Sequence, residues 1–303
     1  MTTVQWLAYA SLATLVPMLQ AEPHCPGNVA SLRLRLVQRS QIIVQVEINR
    51  SGPYDFLVDT GAQITTIDPL LASELHLKMQ GTTGVVGVGF RARTSFAQLD
   101  LLEAGSHAMA NRYAVVQNLE RLQAADPHIR GILGGNFLRH FDVLIDYPHS
   151  MLCLDDTKAM QPKVKGEHIV LVSAPHPDSD TLSTEPLIVQ AHLSGIEAQK
   201  KLLLLDSGSN APLLYDAGRL VLGLVVSAPL HSRNADGVEQ AFTVLPPQDM
   251  QIGTHEFHQI SFAMPIATGK DVPKLEVDGL LPMILFQRVY ISYADRYAVL
   301  DPW

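Results

Sequence analysis

Apolar and polar positions alternate with the two-residue period of half-buried strands through much of the chain. From Leu32 to Val37 apolar residues alternate with Arg33 and Arg35, and Ile42 to Ile48 continues in that style. Ser51-Gly52-Pro53 reads as a turn that feeds an apolar run ending at Asp59. Asp68-Pro69 has the form of a helix start, with Asp as N-cap and Pro in the first turn, and predicts a short helix from Leu70 to Leu75. Val85 to Phe90 and Tyr113 to Val116 are further strand candidates. Leu187 to His192 and Lys201 to Leu205 are two more, and Asp216 follows them about where Asp68 follows the first set. Arg33, Arg35 and Arg39 read as solvated charges on an edge strand, the alternative being an inhibitory prosegment.

This pattern occurs twice. FLVDTGAQITTID surrounds Asp59 and LLLLDSGSNAPLLYD surrounds Asp206, 147 residues later. Each is an apolar run of strand length ending in Asp, a hydroxyl residue, Gly and a small residue. A second pair follows in the same order. GILGGNFLRHFDVLIDYPHSMLCL starts at Gly131 and GLLPMILFQRVYISYADRYAVL at Gly279, an offset of 148 that sets Phe141 against Val289 and Val143 against Ile291. The chain thus reads as two copies of one mainly β unit. The expected organisation is a signal peptide at 1–21, a first lobe at 22–156, a linker at 157–184 and a second lobe at 185–303. The turn-rich stretch Pro175-His176-Pro177-Asp178-Ser179-Asp180 marks the linker.

Composition narrows the function classes. The 303 residues are 47% hydrophobic and 17% charged, as in a globular protein and not a disordered one. The formal net charge is −8 with no run of Lys and Arg, which argues against a nucleic-acid partner. Val4 to Leu19 is apolar and uncharged, and Leu19-Gln20-Ala21 fits a cleavage site. Export to a periplasmic or extracellular space is expected, with no stable membrane span once the signal is removed. A buried first strand or helix is the alternative. Cys25 and Cys153 form either one disulfide closing a long loop or two independent thiols. The twelve His show no ligand-like spacing, and neither a metal nor a cofactor is expected. Ser207 and Ser209 lack a nucleophile-elbow context, and the glycines from Gly84 to Gly89 lack a dinucleotide fingerprint.

The candidate chemistry lies in Asp59 and Asp206. A carboxylate at the end of a buried strand is costly unless it is paired, hydrogen-bonded or functional. Two of them, one per copy, suggest a site on a pseudo-twofold axis. Like charges at close range share a proton, so one member acts as base towards water and the other as acid towards a carbonyl oxygen. Gly61 and Gly208 allow tight turns and close backbone approach, and Thr60 and Ser207 supply hydroxyls that can bond across the junction between copies. Ser209 is placed to donate a hydrogen bond to its ionised Asp whereas Ala62 is not, which predicts a moderately acidic pH optimum.

Asp59-Thr60-Gly61-Ala62 and Asp206-Ser207-Gly208-Ser209 resemble the two active-site signatures of aspartic proteases, and Ile132-Leu133-Gly134 resembles the element that supports the catalytic loop in that superfamily. The Ala after Asp-Thr-Gly is typical of retropepsin-like members, while two lobes in one chain is more like pepsin. The resemblance implies an all-β fold of two pseudo-twofold-related retropepsin-like barrel lobes with a central cleft and few short helices. It implies an aspartic endopeptidase acting on extended peptide or protein substrates through water held between Asp59 and Asp206; the sequence leaves the oligomeric state open, with a monomer favoured. It also implies a flap, with Gly84, Val85, Val86 and Gly87 as the candidate in the first lobe and the turn Asn234-Ala235-Asp236-Gly237 as its counterpart. Pro282 stands where the second supporting element would carry Gly. That departure motivates the alternative of a degenerate, non-catalytic peptide-binding module of the same fold.

Overall fold

Alternating apolar side chains need a second layer to bury one face, and here strands of both copies supply it to one another. A computed structural model of the chain describes residues 24–87, 90–173, 185–194, 200–215, 230–233, 239–266 and 277–303. The expected signal peptide, most of the Pro175 to Asp180 stretch's surroundings (174–184), Val88, Gly89, Asp216 and the Asn234 to Gly237 turn lie outside them. In chain order the first half contains β1 (Ser31–Arg33), β2 (Arg35–Val37), β3 (Gln41–Ile48), β4 (Ser51–Val58), β5 (Thr66–Ile67), α1 (Pro69–Glu74), β6 (Met79–Gly87), β7 (Phe90–Ala104), β8 (His107–Val116), α2 (Glu120–Ala125), β9 (Ile129–Leu133), α3 (Gly135–Leu138), β10 (Asp142–Asp146) and β11 (Met151–Asp155). The second half contains β12 (Ile169–Val170), β13 (Ile188–Leu193), β14 (Lys200–Asp206), β15 (Leu213–Leu214), β16 (Leu230–Arg233), β17 (Glu239–Val244), β18 (Gln248–Ile252), β19 (His255–Ile260), β20 (Ala263–Pro265), β21 (Gly279–Pro282), β22 (Phe286–Ser292) and β23 (Tyr297–Pro302). The fold is all-β, with barrel-like sheets and few short helices.

Three sheets result. The first lobe is an eight-stranded sheet in the order β2-β3-β4-β9-β5-β8-β7-β6, and an added β3–β7 pairing curls it on itself. The second lobe is a nine-stranded sheet in the order β16-β17-β20-β15-β21-β14-β13-β18-β19. A six-stranded sheet, β1-β11-β10-β22-β23-β12, draws strands from both halves. At its centre β10 and β22 run antiparallel, with Val143 opposite Ile291. Those two residues are also each other's repeat mates, so the pseudo-twofold axis passes through this pair. Phe56, Phe137, Phe286, Val289 and Ile291 are fully buried in one core that continues through both lobes.

Several predicted elements are redrawn. Leu32 to Val37 is not one strand. Leu34 gives its amide to the Ser150 carbonyl at 3.2 Å, so the chain switches sheets there, β1 pairing with β11 and β2 with β3. Arg35 is exposed and paired with Asp55 at 2.7 Å and with Asp126. Within the stretch Val85 to Phe90, Val85 to Gly87 end β6 and Phe90 starts β7, and Gly87 pairs with Phe90; Val88 and Gly89 lie outside the described residues. The helix begins as expected. Asp68 caps it, accepting from the Leu71 amide at 2.8 Å, and Arg130 holds the other carboxylate oxygen at 2.6 Å. In the second lobe the Tyr215 amide meets the Asp278 carbonyl as the Asp68 amide meets that of Arg130.

Cys25 and Cys153 form a disulfide across 128 residues, with Cα atoms 5.9 Å apart, and both are fully buried against Met160 and Tyr290. It ties the segment before β1 to β11 of the six-stranded sheet. Replacing both cysteines with serine is expected to cost about 2–5 kcal/mol of stability, read as a fall in Tm under non-reducing conditions, with no further fall when a reductant is added.

Candidate active site

Each candidate Asp ends a strand that is clamped from both sides. β9 runs parallel to β4, with Val58 opposite Leu133, and antiparallel to β5, with Thr66 opposite Ile132. The Asp59 amide then donates to the Leu133 carbonyl at 3.1 Å. β21 repeats this between β14 and β15, with Leu280 opposite both Leu204 and Leu213. In the first lobe a polar bolt completes the clamp. The Thr65 amide and hydroxyl both donate to Asn136 Oδ1 at 2.8 Å, the Gly134 amide donates to Thr65 Oγ1 at 3.2 Å, and Asn136 Nδ2 reaches the Tyr113 carbonyl at 2.7 Å. A Cβ at Gly134 would lie 2.7 Å from the Ile64 carbonyl carbon, so glycine is needed there for contact. In the second lobe Pro212, Pro282 and Ile284 stand at the positions of Thr65, Gly134 and Asn136. None of the three can donate from its side chain, and the bolt is replaced by apolar groups.

The two loops are joined by four hydrogen bonds crossing the pseudo-twofold axis. Thr60 Oγ1 donates to the Leu205 carbonyl at 2.9 Å, and Ser207 Oγ to the Val58 carbonyl at 2.7 Å. In return the Thr60 amide donates to Ser207 Oγ and the Ser207 amide to Thr60 Oγ1, both at 3.1 Å. Each hydroxyl therefore donates once and accepts once, and none of these buried groups is left unpaired. Gly61 and Gly208 are each forced by the opposite carboxylate. A Cβ on Gly61 would lie 2.8 Å from Asp206 Cγ, and one on Gly208 would lie 2.5 Å from Asp59 Cγ. The close approach expected at these glycines is thus backbone against carboxylate.

Asp59 is half-buried and Asp206 is buried. Asp59 Oδ1 accepts from the Gly61 and Ala62 amides at 2.8 and 3.0 Å, and Asp206 Oδ1 accepts from Gly208 and Ser209 at 2.8 and 3.1 Å. Burial pushes both carboxyls above the usual carboxylate range. The charge on Asp59 pushes Asp206 further up, whereas the hydrogen bond from Asp206 and the two amides draw Asp59 back. Ionising both members at close range is disfavoured, so the two carboxyls titrate as a coupled pair. Three phenols feel its charge, Tyr147 buried and Tyr215 and Tyr293 half-buried. Tyr147 and Tyr215 are raised by burial and then by the charge of Asp206, and Tyr293 by burial and then by that of Asp59.

One expected asymmetry is absent. The Ser209 hydroxyl donates to the Ala211 carbonyl at 2.9 Å and not to Asp206, so Ser209 and Ala62 serve their carboxylates alike, through the backbone amide. The Ser209 hydroxyl therefore gives no displacement of the pH optimum. Gly84, Val85, Val86 and Gly87 lie in β6, paired with residues 90 to 93 of β7. A Cβ at Gly84 would meet nothing within 4 Å, so space is not the reason for glycine there. Sequence reasoning missed Thr65 and Asn136. Asn136 could have been noticed as a lone polar residue in an apolar stretch; Thr65 carries no signal in the sequence.

Comparison with known families follows this geometry. The family model described as aspartyl protease matches residues 44–137, from β3 through the first Asp motif to α3. The likeness to aspartic proteases in the first copy's motif is that of this family. Among curated proteins none matches the chain. One solved structure similar to it is a retropepsin-like aspartic protease from Rickettsia conorii, at 20% identity and a TM-score of 0.31, covering 42% of this chain and 90% of that one.

Two outcomes are expected. Thr60→Val and Ser207→Ala each remove bonds to buried groups and should cost about 2–4 kcal/mol. The double variant should show a coupling of about 1–3 kcal/mol in denaturant melts, because the four bonds act together. Asp206, raised in the folded state, contributes stability that is fully present below the unfolded carboxyl's pKa and is lost as pH rises through the folded one. Asp206→Asn should therefore have a higher Tm than the wild type at neutral pH and lose that advantage on acidification, as read by melts between about pH 3 and pH 8.

Proposed function

We propose that the chain is an aspartic endopeptidase, with Asp59 and Asp206 as a shared acid–base pair. The observation that carries this reading is the crossed Thr60–Ser207 bonding, which sets two carboxylates from different lobes against each other with their inner oxygens already bound by amides. The pair's outer face is left for a water. The ionised member takes that water's proton as the oxygen attacks the scissile carbonyl carbon, and the protonated member gives its proton to the carbonyl oxygen. The resulting tetrahedral diol collapses with proton transfer to the leaving nitrogen, so no covalent enzyme intermediate is formed. Low dielectric around the phenols strengthens the pair's proton sharing.

The substrate class is an extended polypeptide, cut between apolar side chains. β6 ends the first lobe's sheet, and an exposed sheet edge pairs with a strand-like backbone. The hairpin with Gly84, Val85, Val86 and Gly87 is the flap in this reading. The buried disulfide supports export, since such bridges persist in oxidising compartments.

The test is cleavage of a denatured protein from acidic to mildly alkaline pH. Asp59→Asn and Asp206→Asn should each lower kcat/KM by about three orders of magnitude or more while remaining folded. The wild-type profile should be bell-shaped, its alkaline limb set by loss of the shared proton and lying above the ordinary carboxylate range, as the raised Asp206 requires. A folded wild type that binds peptide and cuts none would instead assign the peptide-binding role, which the apolar replacement of the second lobe's bolt favours.

A further inference from the structure

The second candidate loop has a support that its repeat mate does not. The β2–β3 hairpin of the first lobe turns through Gln38, Arg39 and Ser40, with Gln38 and Arg39 at positive φ and the Ser40 amide donating to the Val37 carbonyl at 3.2 Å. From the strand just beyond it, Gln41 Nε2 donates to the Gly208 carbonyl of the second lobe at 3.3 Å. Beside it Asn210 Nδ2 donates to Gln38 Oε1 at 3.3 Å. Gln41 is buried although polar, so this bond serves a group that would otherwise be stranded. The bonded carbonyl belongs to the peptide unit whose N–H is that of Ser209, and that N–H donates to Asp206 Oδ1 at 3.1 Å. Gln41, one peptide unit and Asp206 therefore form a line of hydrogen bonds, in which a donor on the carbonyl polarises the unit and strengthens its N–H.

The first lobe lacks this arrangement by sequence. Ile43 stands opposite Leu57, and Ile188 opposite Leu204, the repeat mate of Leu57. That register places Pro186 where Gln41 stands, and proline offers neither a side-chain donor nor an amide. The first loop instead has the Thr65–Asn136 bolt, which Pro212, Pro282 and Ile284 remove from the second.

We propose that Gln41 is a positioning residue for Asp206, reaching across from the opposite lobe through the Gly208–Ser209 peptide unit and standing in for the missing bolt. This rests on the endopeptidase reading for its effect on turnover, but not for its effect on the carboxyl. The groups that face Asp206 are Asp59, Tyr147 and Tyr215, and none of them is altered by a change at Gln41.

The test uses the full folded chain and Gln41→Met, which keeps the side chain's bulk and removes its donor. Titration of the aspartate carboxyl carbons by NMR, assigned with Asp206→Asn, should show the pair's upper step moving to higher pH, since a weaker Ser209 N–H favours the protonated form. With a peptide substrate, kcat should fall about tenfold with KM little changed. Gln38→Ala, which removes the neighbouring contact only, should leave the carboxyl titration at its wild-type position. If the titration of Gln41→Met matches the wild type, or Gln38→Ala moves it equally, the proposal is overturned, whatever the melting temperatures do. If the wild type proves inactive yet Gln41→Met shifts the titration, the positioning role stands and the endopeptidase reading falls.

Discussion

The structure depends on two hydroxyls that each bond the other's backbone across the lobe junction. Thr60 and Ser207 are 147 residues apart, and each has a donor, an acceptor and a carbonyl to satisfy in the other's strand. Burying them without one another would strand two hydroxyls, two amides and two carbonyls, so the lobes are held in the relation that pairs all six. That relation also brings Gly61 under Asp206 and Gly208 under Asp59, where no side chain larger than hydrogen fits. Two carboxyls are thereby desolvated beside each other, and burial raises both towards the protonated form. The raised titration of the pair is a consequence of how the lobes meet and not of either motif alone.

The two halves remain symmetrical where they touch and differ where each is braced. Val143 faces its own repeat mate Ile291 at the centre of the six-stranded sheet, and the strand clamps behind the two Asp residues share one register. Behind the first loop lies a hydrogen-bonded bolt; behind the second lie two prolines and an isoleucine. A buried polar network is worthwhile only when each member is satisfied, and an apolar replacement of the whole set avoids a half-satisfied one. Pro282 is therefore part of a coordinated exchange at three positions, and the second strand clamp forms around it.

The core and the strands were legible from periodicity, because a strand's own neighbours determine which side chains share a face. β3, β13 and β14 lie within a residue of their predicted bounds, but Ser51-Gly52-Pro53, read as a turn, already belongs to β4: Ile48 pairs with Ser51 and the chain turns at Asn49 and Arg50, both at positive φ. The sheet switch at Leu34 was not legible, since it turns on a bond to Ser150 far along the chain. Nor was the fate of the Ser209 hydroxyl, which an expectation based on composition of the motif assigned to Asp206 and which the local turn gives to Ala211.

By itself the sequence determined the duplication, the two Asp motifs and their supporting elements, for these are strings of neighbouring residues whose spacing carries their meaning. It left open whether Cys25 and Cys153 pair, which hydroxyl bonds which carbonyl, and that Gln41 of one lobe reaches Gly208 of the other. Tertiary structure decided these, because each joins residues more than a hundred positions apart, and such contacts are selected by which buried polar groups can be satisfied together once the lobes are packed.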